Sequence, residues 1–279
     1  MSRKLDHLIE PVILATILLV LTALVQGQES PPHAVQGSIL DAVGLAGQMW
    51  VANGNYSPVE KGNVLSQWDF KQSASIFSTW HNSLTVAPYV EFGAVVDTAG
   101  YNWNNKIMPG AGIKADKLFR NGVISAGTAY SYEDRAGSAK ASGRTDYVSG
   151  WFGWQTAAEQ KNRFPGSTWV VVGHISPVEH GNLIEQGFAT QGYVLHRFNR
   201  AAVIPYGEIT IGRDSQGYDW ENRVISGGGV KCAVPVKKIY IDFGTGVTHE
   251  DRFNSALSAT GFKIFMNASY TWHLFGRGE

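Results

Sequence analysis

The chain has 279 residues, and its 23 Lys+Arg balance 23 Asp+Glu, so it carries no net charge and no basic run that would suit a nucleic acid. Thirty-two glycines, 12% aromatic residues and only 16% charged residues fit a β-rich protein with tight turns better than a helical one. The single cysteine, Cys232, excludes an intrachain disulfide.

In chain order, the first element is a targeting segment. Arg3 and Lys4 precede Pro11–Val25, a run of apolar residues without a charge, and the small Gly27 follows. The run is short for a membrane-spanning helix and matches a signal-peptide core, with an uncleaved anchor as the alternative. Residues 1–27 are therefore read as a signal peptide and 28–37 as a linker. Beyond them no stretch is apolar enough for a transmembrane helix, so any membrane residence of the mature chain must use strands.

Residues 38–275 carry an internal duplication. Pro88–Arg135 aligns without a gap to Pro205–Arg252, with 17 identities in 48 positions; about three are expected by chance at roughly 6% per position. The match includes Tyr89/Tyr206, Glu91/Glu208, Asp97/Asp214, Tyr101-x-Trp103 against Tyr218-x-Trp220, Lys114/Lys231 and Glu133-Asp134-Arg135 against Glu250-Asp251-Arg252. Upstream, Ser57-Pro58-Val59-Glu60 repeats as Ser176-Pro177-Val178-Glu179, and downstream Trp154 falls opposite Trp272. The repeat units are 38–155 and 157–273, with a tail at 276–279. The period is too long for a solenoid.

Within each unit hydrophobicity alternates with period two. Leu84, Val86, Val90, Phe92, Ala94 and Val96 oppose Thr85, Tyr89, Glu91, Gly93 and Asp97. Alternation over ten or more residues matches barrel strands with one face in lipid and one in a polar lumen. Turn signals give strands at 39–53, 64–79, 84–97, 106–118, 123–134 and 145–157, then 167–175, 183–197, 202–214, 223–235, 239–250 and 261–274. The fold class expected is an all-β, transmembrane antiparallel β-barrel of about twelve strands. The longer connections at 54–63, 98–105, 135–144, 177–182, 215–222 and 252–260 would lie outside, and the shorter ones in the periplasm.

Candidate functional residues sit on the polar face and in the longer connections. Glu91, Lys114, Glu208, Lys231, Asp97 and Asp214 form a candidate lumen charge belt; a turn centred near 101–102 would make Lys114 a diagonal neighbour of Glu91. Such a belt selects solutes, or else plugs a narrow barrel with salt bridges. Tyr101, Trp103, Tyr218 and Trp220 are external-loop aromatics, suited to an interfacial girdle, to sugar stacking or to docking. Glu133-Asp134-Arg135 and its copy read as local ion pairs near headgroups. His81-x-Ser83 has the spacing of a lipid-hydrolase pair, but its copy lacks the serine and no third member is apparent, so no catalytic residue is assigned. The histidines show no metal-ligand spacing, and no cofactor is expected.

The stretches Pro88–Lys114 and Tyr206–Lys231, each a Tyr-bearing strand, a Tyr-x-Trp-x-Asn loop and a Gly-x-Gly strand, resemble units of large exopolysaccharide-export barrels and of the C-terminal barrel of a phage-adsorption outer-membrane protein. Small barrels associated with polysaccharide gene clusters are also similar in length and layout. The export barrels carry a helical-repeat periplasmic region that this chain lacks. The resemblance implies passage of a saccharide-like solute through the outer membrane of a Gram-negative bacterium, with outer-membrane lipid, the barrel-assembly machinery and a polysaccharide-secretion system as partners. A surface adhesion or phage-docking barrel with a plugged lumen, and a lipid-modifying enzyme, remain the alternatives.

Overall fold

The computed structural model describes residues 45–79, 83–154, 163–199, 201–236 and 239–274. The expected signal peptide, linker and C-terminal tail lie outside these residues, as do 39–44 of the first expected strand and His81. The described residues are strand, turn and loop, with no helix among them. In chain order the strands are β1 (Leu45–Gly54), β2 (Leu65–Ala74), β3 (Phe77–Thr79), β4 (Leu84–Asp97), β5 (Lys106–Phe119), β6 (Gly122–Arg135) and β7 (Ala139–Trp154), then β8 (Gly166–His174), β9 (Ile184–Gly192), β10 (His196–Phe198), β11 (Ala201–Asp214), β12 (Arg223–Val236), β13 (Ile239–Arg252) and β14 (Ser258–Leu274).

Every pairing is antiparallel, and β14 returns to pair with β1, so the sheet closes on itself. The short β3 continues β2 along β4, and β10 continues β9 along β11. Fourteen segments therefore occupy twelve positions in the wall, which is the twelve-stranded barrel that the alternation implies. Closure pairs both sides of the twelve wall strands except along the short β3 and β10, which pair only with β4 and β11 among the described residues.

Side-chain chemistry decides which face points out. Along β4, Ala87, Tyr89 and Asp97 are buried, whereas Val90, Phe92 and Val96 are exposed. Along β14, Lys263 and Phe265 are buried, and Phe262, Ile264 and Met266 are exposed. The outer surface is thus a band of aliphatic and aromatic side chains, with polar groups turned inward. Small inward residues allow close strand approach: a Cβ at Gly112 would collide with the Thr128 carbonyl, and one at its copy Gly229 with the Thr245 carbonyl.

The two repeats pair in the same way. Val95 opposes Lys106 and Gly212 opposes Arg223; Phe119 opposes Gly122 and Val236 opposes Ile239; Gly54 opposes Leu65 and Gly173 opposes Ile184. Two expected boundaries shift. The proposed loop 135–144 is a tight turn at 136–138, where Ala136 and Gly137 take positive φ, so β7 begins at Ala139 and is 16 residues long. Similarly, β14 begins at Ser258 and reaches 17 residues. The hairpins β6–β7 and β13–β14 therefore rise well above β1–β2 and β8–β9, whose strands are only 9 or 10 residues long.

Candidate functional site

The six connections that follow β1, β4, β6, β8, β11 and β13 share one end of the barrel, because alternate strands of an antiparallel sheet turn at the same end. Each β-strand leading into a Tyr-x-Trp loop ends in an aspartate that winds it. Asp97 Oδ1 accepts from the backbone N–H of Gly100 (2.7 Å) and Tyr101 (3.1 Å) and from Asn105 Nδ2 (2.7 Å). Asp214 Oδ1 accepts from Gly217 (2.6 Å), Tyr218 (3.0 Å) and Asn222 Nδ2 (2.5 Å). Gly100 and Gly217 sit at φ 74° and 78°, a backbone conformation that glycine adopts without a Cβ clash. Asp97 and Asp214 are thus loop organisers rather than members of a free lumen belt.

This winding aims four aromatic rings at one another. Tyr101 stacks on Trp103 with centroids 4.5 Å apart, Trp103 on Trp220 at 5.1 Å, and Trp220 on Tyr218 at 4.7 Å, all within 12° of parallel. The β4–β5 and β11–β12 hairpins that carry them stand on opposite walls, with four strand positions between them on either side. The column Tyr101–Trp103–Trp220–Tyr218 therefore bridges the barrel mouth from wall to wall. The aromatics expected in an interfacial girdle or on an outer surface instead pack on each other, because equivalent loops from opposite walls point to a common centre.

The lower hairpins fold inward beside this column. In the β1–β2 loop, Ser57 Oγ donates to Glu250 Oε2 (2.5 Å), and Arg252 reaches back to donate to Glu60 Oε1 (2.9 Å) while its Nε holds Glu250 Oε1 (2.9 Å). In the β8–β9 loop, Ser176 Oγ donates to Glu133 Oε2 (2.6 Å), and Arg135 binds Glu179 (2.5 Å) and Glu133 (2.7 Å). Asn63 then ties Glu60 to Asp97, and Asn182 ties Glu179 to Asp214. Glu133 and Glu250 have no exposed surface. Glu133-Asp134-Arg135 is accordingly no local headgroup cluster: Glu133 and Arg135 turn inward and latch a loop, and only Asp134 faces outward, toward the Tyr132 hydroxyl (3.1 Å).

Both latch carboxylates lie at strand ends above the apolar band, and both titrate below the ordinary glutamate range. Burial by itself would raise Glu133, but Lys106, the Ser176 hydroxyl and Arg135 outweigh it. Burial would likewise raise Glu250, and Arg223, the Ser57 hydroxyl and Arg252 outweigh it. A buried carboxylate is stable only with such compensation.

Below the mouth four inward lysines are paired with carboxylates, and Asp69 lies on the same face two residues from Lys71. Glu91 binds Lys71 on the adjoining strand at 3.0 Å, Lys114 binds Asp116 at 2.7 Å, and Lys231 binds Asp242 at 2.8 Å. Lys263 of β14 reaches past β13 and β12 to Glu208 of β11, across the inside of the wall. Lys114 and Lys231 are not diagonal partners of Glu91 and Glu208. Glu91 opposes Gly110 and Lys114 opposes Ala87, because the aspartate-wound loop sets the register two residues away from a turn centred at 101–102. Sequence reasoning missed Lys71, Asp116, Asp242 and Lys263. Lys71 and Lys263 lie outside the aligned repeat, which removes the signal that singled out the others. Ser83 of the His-x-Ser spacing accepts from Lys117 Nζ (2.9 Å).

No family model matches the chain, and no curated protein does. Among solved structures, the chain is similar to the β-domain of the Bordetella autotransporter BrkA, at 12% identity over 82% of this chain and 99% of that one, with a TM-score of 0.35. It is also similar to an outer-membrane channel from Pseudomonas putida (8% identity, 88% and 100% covered, TM-score 0.39). A third similar structure is a bacterial polysaccharide outer-membrane secretin (9% identity, 82% and 98% covered, TM-score 0.36). At these identities and TM-scores the likeness assigns no activity.

Proposed function

We propose that the protein is an outer-membrane barrel of a Gram-negative bacterium that handles a saccharide-like solute, with its loop-bearing end closed by Trp103 on Trp220. The observation that carries this reading is the stack of Trp103 on Trp220, which joins opposite walls at the mouth. Membrane residence is supported by the outer band: Val90, Ile113, Val148, Val230, Phe243, Val247 and Ile264 are each more than two-fifths exposed. An exposed apolar surface that encircles a molecule suits lipid, not water, at about 25 cal/mol per Å² moved. A neutral, hydroxyl-rich solute is favoured over an ion because Lys71, Lys114, Lys231 and Lys263 each have a carboxylate partner, so the wall carries little unbalanced field.

A second reading, a docking barrel with a permanent plug, is favoured by the burial of Glu133 and Glu250, which makes the latches costly to open. Swelling of proteoliposomes in isosmotic solutions of the acyclic polyols erythritol and arabitol, which have no ring to stack on an indole, separates the two. Closure predicts slow swelling with the native protein and fast swelling with the Trp103→Ala/Trp220→Ala variant. Fast swelling with both contradicts closure, and slow swelling with both supports the plug.

A further inference from the structure

The stack at the mouth leaves two polar atoms unserved. Among the described residues, Trp103 Nε1 and Asp219 Oδ1 are buried side-chain atoms without a hydrogen-bond partner. Trp103 belongs to the β4–β5 loop, and Asp219 immediately precedes Trp220 in the β11–β12 loop, so a lone donor and a lone acceptor come from the two loops that the indole pair joins. Arg252 Nη1 holds the other oxygen of Asp219 at 3.2 Å, which fixes the carboxylate of the residue next to Trp220. The first repeat has Asn102 in the equivalent position, so this feature belongs to one side of the mouth only. A buried donor or acceptor without a partner costs as much as a ring stack returns, or more. The closed contact is thus satisfied in its rings and unsatisfied in its polar atoms.

The geometry points to a saccharide-binding site made by Trp103, Trp220 and Asp219, in which a neutral pyranose takes the place of one indole against the other and parts the two loops. This rests on the saccharide reading above and gives it a place. A pyranose has an apolar face of C–H groups that packs on an indole as a second ring does. Around its edge it carries hydroxyls that both donate and accept. One hydroxyl oxygen accepts from Trp103 Nε1, and another hydroxyl donates to Asp219 Oδ1. A simple ion has no face to stack, and an acyl chain has no hydroxyl to offer. Tyr101 and Tyr218 back the outer faces of the indoles, so each loop keeps a two-ring platform after the rings separate. The ligand binds only the parted form, and that differential affinity shifts the population toward it.

The test uses the full barrel folded in detergent, with maltoheptaose, chitopentaose and xylopentaose as probes at millimolar concentration. Circular dichroism reads the exciton couplet of the stacked indoles, and calorimetric titration reads binding. At least one sugar is expected to bind and to abolish the couplet. Trp103→Phe, which keeps a ring and removes the N–H, and Asp219→Asn, which removes the charged acceptor, are each expected to bind that sugar about tenfold more weakly. A couplet unchanged by all three sugars overturns the site, as does equal affinity in the native protein and both variants. Sugar binding without solute passage in the native protein or in Trp103→Ala/Trp220→Ala refutes the passage reading and leaves the site standing. Solute passage with no response to any sugar does the reverse.

Discussion

Trp103 and Trp220, equivalent residues of the two repeats, lie face to face with centroids 5.1 Å apart and planes 11° from parallel. Equivalent residues of a duplicated unit touch each other only where the axis relating the copies passes between them. The stack therefore marks that axis at the mouth. The matching latches, Glu250–Arg252–Glu60 and Glu133–Arg135–Glu179, flank it on either side.

The two latches share one Glu–Arg–Glu pattern, and Arg252 alone also holds Asp219. Removing Glu133 or Glu250 strips a buried arginine and a serine hydroxyl of one charged partner, while Arg135 keeps Glu179 and Arg252 keeps Glu60, so the loss is that of hydrogen bonds to a charged group, about 1.5–3 kcal/mol. Glu133→Ala and Glu250→Ala are each expected to lower unfolding free energy by about that amount in urea titrations of the barrel in lipid vesicles. Asp251→Ala, at an exposed outward position, should have little effect. A latch variant no less stable than Asp251→Ala would show that the loops are not held this way.

Acid should release the latches, and the direction follows from the carboxylates. Glu133 and Glu250 titrate lower in the folded protein than in an unfolded chain. Their stabilisation is therefore fully present above the unfolded value, about 4.3, and is lost as pH falls through the lower folded values. The indole couplet should persist from neutral pH to about pH 5 and fade below about pH 4. Fading centred near pH 6 would instead implicate a histidine and contradict the carboxylate latch.

Much of the barrel was legible in the sequence. The span of β4 follows residue for residue from its alternation, since Val90 and Phe92 face outward where Tyr89 and Glu91 face inward. The breaks between β2 and β3, and between β9 and β10, were not legible, because apolar Ile76, Val194 and Leu195 continue the run through them. The latch carried a readable signal that needed a second inference. Ser-Pro-Val-Glu and Glu-Asp-Arg each occur twice, and the Glu of one can pair with the Arg of the other, yet they meet between distant parts of the chain, and spacing alone does not say which copy pairs with which. Likewise, the Tyr-x-Trp repeat is visible in one dimension, but its self-contact requires closure of the barrel.

The outward band makes its own prediction. Val230, at the middle of β12, is 48% exposed, while its neighbour Lys231 turns inward to Asp242. Val230→Arg is expected to cost about 2–4 kcal/mol for folding into lipid vesicles, the cost of a lipid-facing cation near the midplane. Its cost in detergent micelles, where water reaches the band, should be smaller. Equal cost in both settings would argue that Val230 does not face the bilayer.

Single-channel recording reads whether Trp103 on Trp220 closes the barrel at its mouth. Native protein in planar bilayers is expected to stay closed with rare brief openings, and Trp103→Ala/Trp220→Ala is expected to conduct in long openings. Steady conductance by the native protein, equal to that of the double variant, would show that the indole stack does not close the barrel.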